Sequence, residues 1–375
     1  MHILNIIQCA NLGGMEQSTL ALLTRLQARG HTTELLSLNP LGAMGRLLAE
    51  NGIPAEGLPY LGRGGWRSVL QFKHRLAAKR ADALIMTGHN LLAMEALGDL
   101  CARRRVLSIH FHHTGVKPRW QWRLIYRSAL RHFFAIMFPS DFIRREAEDI
   151  CPQIRPICHT VGCPIALPSL PSRFGRAAAR RRLGLPEQAN VVGNAGWLIP
   201  RKRFDVFLEV ARRIAAEHSD ALFAIAGDGP EADRLRSMAL QLGIADRVRW
   251  LGWQSDLTDF YRSLDLMLFN ADWEALGRSP LEALAAGVPV VASVLNGGLS
   301  EVLGRTNYGQ LYAEHNIDEL AGAVLSILSD PATAGRLVEA GRRRLEQIAS
   351  PERYADRVCG ILGAGLVTCN GWRAA

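Results

Sequence analysis

The feature that most restricts what this chain can fold into is a recurring order: a short apolar run, a glycine-containing turn, a helical segment, then another apolar run. Ile3 to Gln8 leads into Asn11-Leu12-Gly13-Gly14, a helical pattern runs from Gln17 to Ala28 and stops at Gly30, and Thr33 to Leu38 follows. Asp82 to Met86 and Val106 to Ile109 continue the series. Strands joined through helices run parallel, with helices on the faces of the sheet. The first half is therefore expected to be a Rossmann-like α/β domain.

Between Pro164 and Ala179 the texture changes to PIALPSLPSRFGRAAA, where prolines and serines interrupt any regular period. Beyond it, Asn190 to Ala195, Ala221 to Ala226, Val248 to Trp250, Leu264 to Phe269 and Val288 to Ala292 recur as apolar strands between helical segments. A chain of 375 residues with 48% hydrophobic content is long enough for two packed domains. The expected division is 1–165, a linker over 166–189, a second α/β domain over 190–350 and a C-terminal helix over 351–375.

The stretch DWEALGRSPLEALAAGVPVVASVLNGGLSE, from Asp272 to Glu301, places Glu274 and Glu282 on either side of seven residues. The expectation here is strand, polar loop carrying Glu274, helix opened by Glu282 and closed by Gly287 and Pro289, then strand. Carboxylates beside a helix N-terminus accept hydrogen bonds from sugar hydroxyls, and the free N–H groups there hold phosphate oxygens. A pair of glutamates that merely caps a helix satisfies the same spacing. With Gly287-Val288-Pro289-Val290-Val291 and Gly297-Gly298-Leu299-Ser300-Glu301 behind it, the pair resembles the E-x7-E signature of retaining glycosyltransferases of the GT4 family, which have the GT-B fold of two Rossmann-like domains.

The resemblance implies a donor site in the second half and a C-terminal helix, 351–375, that crosses back to the first domain. Gly196-Trp197-Leu198-Ile199-Pro200-Arg201-Lys202 is similar to the family segment whose lysine neutralises the donor diphosphate, which assigns that role to Lys202. The family's arginine is Trp197 here, and the glycine usual after the lysine is Arg203, so Arg201, Arg203 or Arg278, the last inside the E-x7-E loop, is expected to supply the second positive charge, with a solvated surface charge as the alternative and the favoured reading of Arg201 and Arg203 taken singly. Glu282 falls on the ribose position and Glu274 on that of the donor sugar. Ser279 and Leu281 offer backbone N–H groups to the phosphates at a helix start. Gly227-Asp228-Gly229-Pro230 resembles the family's G-x-G-P turn, with a purely structural role as the alternative. Leu251 and Gly252 fall in the turn that lies against the base.

In the first half, Gly13-Gly14-Met15-Glu16 resembles the loop that closes over the donor phosphates, with Gly14 at the diphosphate. It lacks the G-x-G-x-x-G spacing of a dinucleotide site. His110, at the end of the strand Val106 to Ile109, matches the family's histidine near the reacting sugar carbon, whereas His112 and His113 fall beyond it. Neither these histidines nor the seven cysteines, which form no CxxC pair, has metal-ligand spacing. The resemblance implies transfer with retention, without metal or cofactor, from a nucleoside diphosphate sugar to a glycan or lipid-linked glycan acceptor, with closure of the two halves around the donor. No nucleophile is assigned, although Glu274 could serve as base.

The net charge is +9 with an isoelectric point near 9.5, and basic residues crowd the first half. RWQWRLIYRSALRHFF, from Arg119 to Phe134, mixes arginines with Trp120, Trp122 and Tyr126. It reads either as a helix lying in an anionic membrane interface or as a core helix with a solvated arginine face. No nucleic-acid motif accompanies the charge. No apolar run is long enough to cross a bilayer and the start lacks a signal-peptide pattern, so a cytoplasmic enzyme with peripheral membrane contact is expected. A GT-B nucleotide-sugar epimerase and a non-catalytic sugar-nucleotide-binding protein are the alternatives.

Overall fold

The computed structural model describes residues 1–11, 13–59, 65–98, 102, 104–111, 113, 115–304 and 307–368. The chain divides into two compact units, Met1–Pro164 with Pro351–Ala375, and Ile165–Ser350. The first is built on seven parallel strands: β1 His2–Ile7, β2 Thr32–Ser37, β3 Ala55–Gly57, β4 Ala83–Thr87, β5 Arg104–Ser108, β6 Ala135–Phe138 and β7 Cys158–Thr160. Their order is β3-β2-β1-β4-β5-β6-β7, so the direction of winding reverses between β1 and β4. Ile3, Leu4, Ile6 and Ile7 of β1 have no exposed surface, as a strand covered on both faces requires.

The second unit repeats the plan with β8 Asn190–Ala195, β9 Ala221–Ala226, β10 Val248–Gly252, β11 Leu266–Glu274, β12 Val290–Gly297 and β13 Gln310–Tyr312. These strands are also parallel, in the order β10-β9-β8-β11-β12-β13, with the reversal between β8 and β11. Ligands of open parallel sheets bind beyond the carboxyl ends of the strands at such a reversal. Glu274 of the sequence motif sits there, and the structure corrects how its segment and that of Glu282 are drawn. β11 continues past Phe269 to Glu274, making Glu274 a strand end, not a loop residue. The following helix starts at Arg278, so Glu282 lies in its second turn and does not open it.

The segment 166–189, expected as a linker, contains the helix Arg173–Arg182 and belongs to the second unit. Ser172 caps it by accepting from Gly175 N at 3.1 Å. Its anchor is ionic: the buried Arg180 donates to Asp265 Oδ2 at 2.5 Å, to the Ser263 carbonyl at 2.9 Å and to the Glu187 carbonyl at 2.6 Å. A helix fastened by an arginine carries little apolar periodicity, which is why the sequence there reads as irregular. Asp265 also accepts from Val191 N, so one carboxylate ties this helix to β8 and to the start of β11.

The helix Pro351–Thr368 packs within the first unit. Tyr354, Ala355, Val358 and Leu362 join Ile3, Leu22, Leu26 and Ile85 in one buried cluster. Arg29 pairs with Asp356 and Arg25 with Glu352 at its margin, exposed pairs worth well under about 1 kcal/mol each. Burial therefore holds the helix. Leu362→Ala is expected to cost about 2–5 kcal/mol and to lower the first unit's calorimetric transition; an unchanged thermogram would remove this helix from that core.

Candidate functional site

In the second unit the chain leaves β8 through Gly196 and the exposed Trp197, buries Leu198, and makes one 3-10 turn, Pro200–Lys202, before the helix Phe204–Glu217. Arg203, between turn and helix, has φ 46° and ψ 45°, the one non-glycine residue with positive φ among the described residues. Glycine would adopt that geometry without strain. Arg203 is held there by its side chain, which bonds Asp205 at 3.1 Å and Asp272, on β11, at 3.0 Å. Arg203 is thus paired with two carboxylates, as Lys202 and Arg278 are each paired with one.

This turn delivers Lys202 to the end of β11, where its ammonium pairs with Glu274 Oε2 and lies 5.1 Å from the centroid of the Phe269 ring. The two side chains are 14% and 15% exposed, enough shielding for the pair to be strong and enough opening for a ligand to reach it. Burial pushes the Glu274 carboxyl up, but Lys202, with Arg201 and the Ala275 N–H, outweighs that and holds it below the usual carboxylate range.

Glycines make this approach possible. Gly297, paired with Glu274 across β11 and β12, has φ 155°, and a Cβ there would sit 2.0 Å from the Glu274 carbonyl oxygen. Gly227 and Gly229, after β9, serve the same purpose beside β8: a Cβ would meet the carbonyl oxygens of Gly196 at 1.9 Å and Leu198 at 2.5 Å. These two glycines seat the β9 turn against the turn that carries Lys202. Gly227 N also donates to the Gly252 carbonyl, and Leu251 precedes it, half-buried, at the end of β10.

Glu282 is held in a separate arrangement. Arg278 Nε bonds Glu282 Oε1 at 2.6 Å, one turn earlier on the same helix, and the Tyr261 hydroxyl donates to Oε2 at 2.9 Å. Gly277 caps the helix in the left-handed conformation, Ser279 is half-buried and Leu281 fully buried in its first turns. Burial drives the Tyr261 phenol well above its ordinary pKa, and Glu282 adds to the effect. Arg201 donates to the Trp273 carbonyl at 3.4 Å. Behind the strand ends, Asn270 Nδ2 bonds Ser293 Oγ, which bonds His315 Nδ1 at 2.7 Å, while His315 Nε2 faces Asp272 at 3.4 Å. Tyr261, Asp272 and His315 were not singled out from the sequence.

In the first unit Gly14 begins the helix Gly14–Ala28, after Gly13 as N-cap; a Cβ on Gly13 would meet Glu16 Oε2 at 2.7 Å. His110 lies two residues beyond β5, its Nε2 2.9 Å from Ser108 Oγ. His113 is buried between Tyr126 and Glu146, and its carbonyl accepts from Trp122 Nε1, a structural placement. His112 lies outside the described residues. Among the described residues no group of three His, Cys, Asp or Glu side chains is arranged to hold a metal ion.

Comparison with known proteins agrees with this architecture. Residues 175–344 match the family described as "Glycosyl transferases group 1" and residues 13–158 the "Glycosyl transferase 4-like domain". The lipopolysaccharide core biosynthesis glycosyltransferase LpsE of Rhizobium meliloti is 31% identical over 51% of this chain and 55% of its own length. A D-inositol 3-phosphate glycosyltransferase of Rhodococcus jostii is 35% identical over 48% of this chain and 42% of its own. The chain thus spans about half the length of the curated relatives it matches. Anabaena Alr3699/HepE, solved with UDP and glucose, superposes with a TM-score of 0.84 over 97% of this chain and 100% of that one, at 19% identity. The lipopolysaccharide outer core galactosyltransferase WaaB gives 0.70 over 98% and 99%, at 16% identity.

Because the folded-state pKa of Glu274 is depressed, its contribution to stability is present above the unfolded carboxylate value and is lost as pH falls through the folded one. Lys202→Met removes the largest opposition to burial, leaving only Arg201 and the Ala275 N–H, and raises that pKa. The gap in melting temperature between parent and variant is expected to be small near about pH 4 and to widen toward pH 7; a gap independent of pH would contradict the pairing.

Proposed function

The chain belongs to the group 1 glycosyl transferases, the GT4 family with the GT-B fold, and on that premise we propose that it moves a sugar from a nucleoside diphosphate sugar to an acceptor hydroxyl with retention at the anomeric carbon. The observation that carries this reading is the Lys202–Glu274 pair at the reversal of the second sheet. A donor diphosphate competes with Glu274 for the ammonium, and as the glycosidic bond breaks, the charge growing on the leaving diphosphate is met by a cation already in place. Glu274, released from its partner, faces the sugar. Glu282, oriented by Arg278 and Tyr261, takes the ribose hydroxyls through the lone pairs that those two donors leave open. The first-turn N–H groups at Ser279 and Leu281 serve the diphosphate, as does the loop at Gly14; His110 is assigned to the donor sugar near its reacting carbon.

The acceptor is a glycan or lipid-linked glycan of the cell envelope or of an exported polysaccharide, a reading supported by what the Rhizobium meliloti relative is named for. Residues 1–164 hold 20 Lys and Arg against 11 Asp and Glu, and the remainder holds 24 of each, so the whole positive excess lies in the first part. Among the described residues no helix is long and apolar enough to cross a membrane. The helix Arg119–His132 exposes Trp120, Arg123, Leu124, Arg127, Leu130 and Arg131 while burying Trp122, Ile125, Tyr126 and Ala129. It is at once a core helix and a basic, aromatic surface, which supports peripheral contact with the inner face of an anionic membrane.

Incubation with UDP- and GDP-sugars and candidate acceptors separates the readings. Transfer releases nucleoside diphosphate with acceptor product, an epimerase yields a new sugar nucleotide, and a binding protein yields neither. Lys202→Ala is expected to lower kcat by about 10²–10³-fold; an unchanged kcat would remove Lys202 from the chemistry. Flotation with vesicles rich in anionic lipid should capture the parent and fail for Arg123→Glu/Arg127→Glu, whereas equal capture of both would exclude this helix as the contact.

A further inference from the structure

Resting on the transferase reading for its biological role, we propose that a cavity in the first unit binds the hydrocarbon chain and phosphate of a lipid-carried acceptor. The cavity has a volume of about 510 Å³ and lies where the strand order of the first sheet reverses: Gln8 follows β1, Gly88 and His89 follow β4, and Phe111 follows β5. That is the position at which an open parallel sheet receives a ligand. Leu92, Trp120 and Leu124 complete the wall, and they are 54%, 62% and 43% exposed.

Three observations select the ligand's chemistry. The lining is dominated by apolar and aromatic groups, and two of its polar side chains are engaged with each other: Asn90 Nδ2 donates to Gln8 Oε1 at 3.0 Å, while Asn90 Oδ1 caps its own helix by accepting from Ala93 N. Among the described residues the lining contains no Asp or Glu, and its one formal cation, Lys117, is half-buried and forms no ion pair. His89 adds no charge, because burial, with Lys117 and His113 behind it, pushes its imidazole down to about 4. Its ring stands edge-on to Phe111 at 4.8 Å and tilted against Trp122 at 4.9 Å, closing one side with aromatic surface.

An apolar hollow with a single uncompensated ammonium fits a chain that ends in an anion. A sugar alone would leave the exposed Leu92, Trp120 and Leu124 without partners, and a neutral lipid would leave Lys117 without one. A prenyl or alkyl phosphate satisfies both, its chain against the leucines and aromatics and its phosphate on Lys117. The arginine-bearing helix that supplies Trp120 and Leu124 continues the same chemistry onto the surface, where the acceptor would be drawn from a membrane.

Calorimetric titration of the full-length protein with farnesyl phosphate tests this, with farnesol and inorganic phosphate as parallel probes and UDP and GDP in the same preparations as a readout of the second unit. Farnesyl phosphate is expected to bind and inorganic phosphate alone not to. Lys117→Gln should weaken farnesyl phosphate about tenfold, the loss of one charge-assisted hydrogen bond, while leaving farnesol unchanged. Leu124→Glu, at an exposed position that tolerates the change in the fold, should weaken both. The inference is overturned if farnesyl phosphate does not bind the parent, or if both variants bind it as the parent does. Failure of farnesyl phosphate with intact nucleotide binding removes this inference alone; failure of both nucleotides removes the transferase reading and leaves the cavity result to stand.

Discussion

The candidate site depends on one constraint: a lysine from the turn after β8 and a glutamate at the tip of β11 must meet in a partly shielded place at the sheet's reversal. Each half of that meeting is enforced by backbone geometry. Arg203 takes up a left-handed conformation that its two aspartate partners maintain, and so sets the turn that aims Lys202. Gly297 lets β12 close on the Glu274 carbonyl, where any side chain would collide. Such an ion pair contributes little net stability, since desolvation offsets attraction. In the proposed reaction its value is a cation kept in position until the donor diphosphate displaces the carboxylate.

Much of this was legible in the sequence, and the limits have physical causes. The parallel strands announced themselves because buried strands are continuously apolar, and the glycines of Gly227-Asp228-Gly229 and Gly297-Gly298 marked places where backbones touch. Lys202, Glu274 and Glu282 were singled out by their resemblance to the family's motifs. Tyr261 was not, because an aromatic residue on an amphipathic helix reads as core, and only the fold brings its hydroxyl to Glu282, 21 residues on. Asp272 and His315 escaped for the same reason: their link runs between strand ends that are distant in sequence. The helix Arg173–Arg182 was missed because charge fastens it and leaves no apolar stripe to read.

The two units share a plan but differ in electrostatics. The second is balanced overall and places paired charges around the ends of β8 and β11, where the proposed donor, a polyanion with many hydroxyls, would bind. The first carries the whole positive excess, places apolar and aromatic groups at the reversal of its sheet, and buries Trp122 and Tyr126 behind an exposed basic face. One fold used twice therefore carries two chemically distinct sets of residues at its strand ends, which underlie the two proposed sites.

The most direct measurement is a structure of the protein with a bound nucleoside diphosphate. The account predicts Lys202 Nζ within hydrogen-bond distance of a β-phosphate oxygen, separated from Glu274, with the ribose hydroxyls on Glu282. A nucleotide bound while Lys202 remains paired with Glu274, or bound away from the ends of β8 and β11, would contradict it.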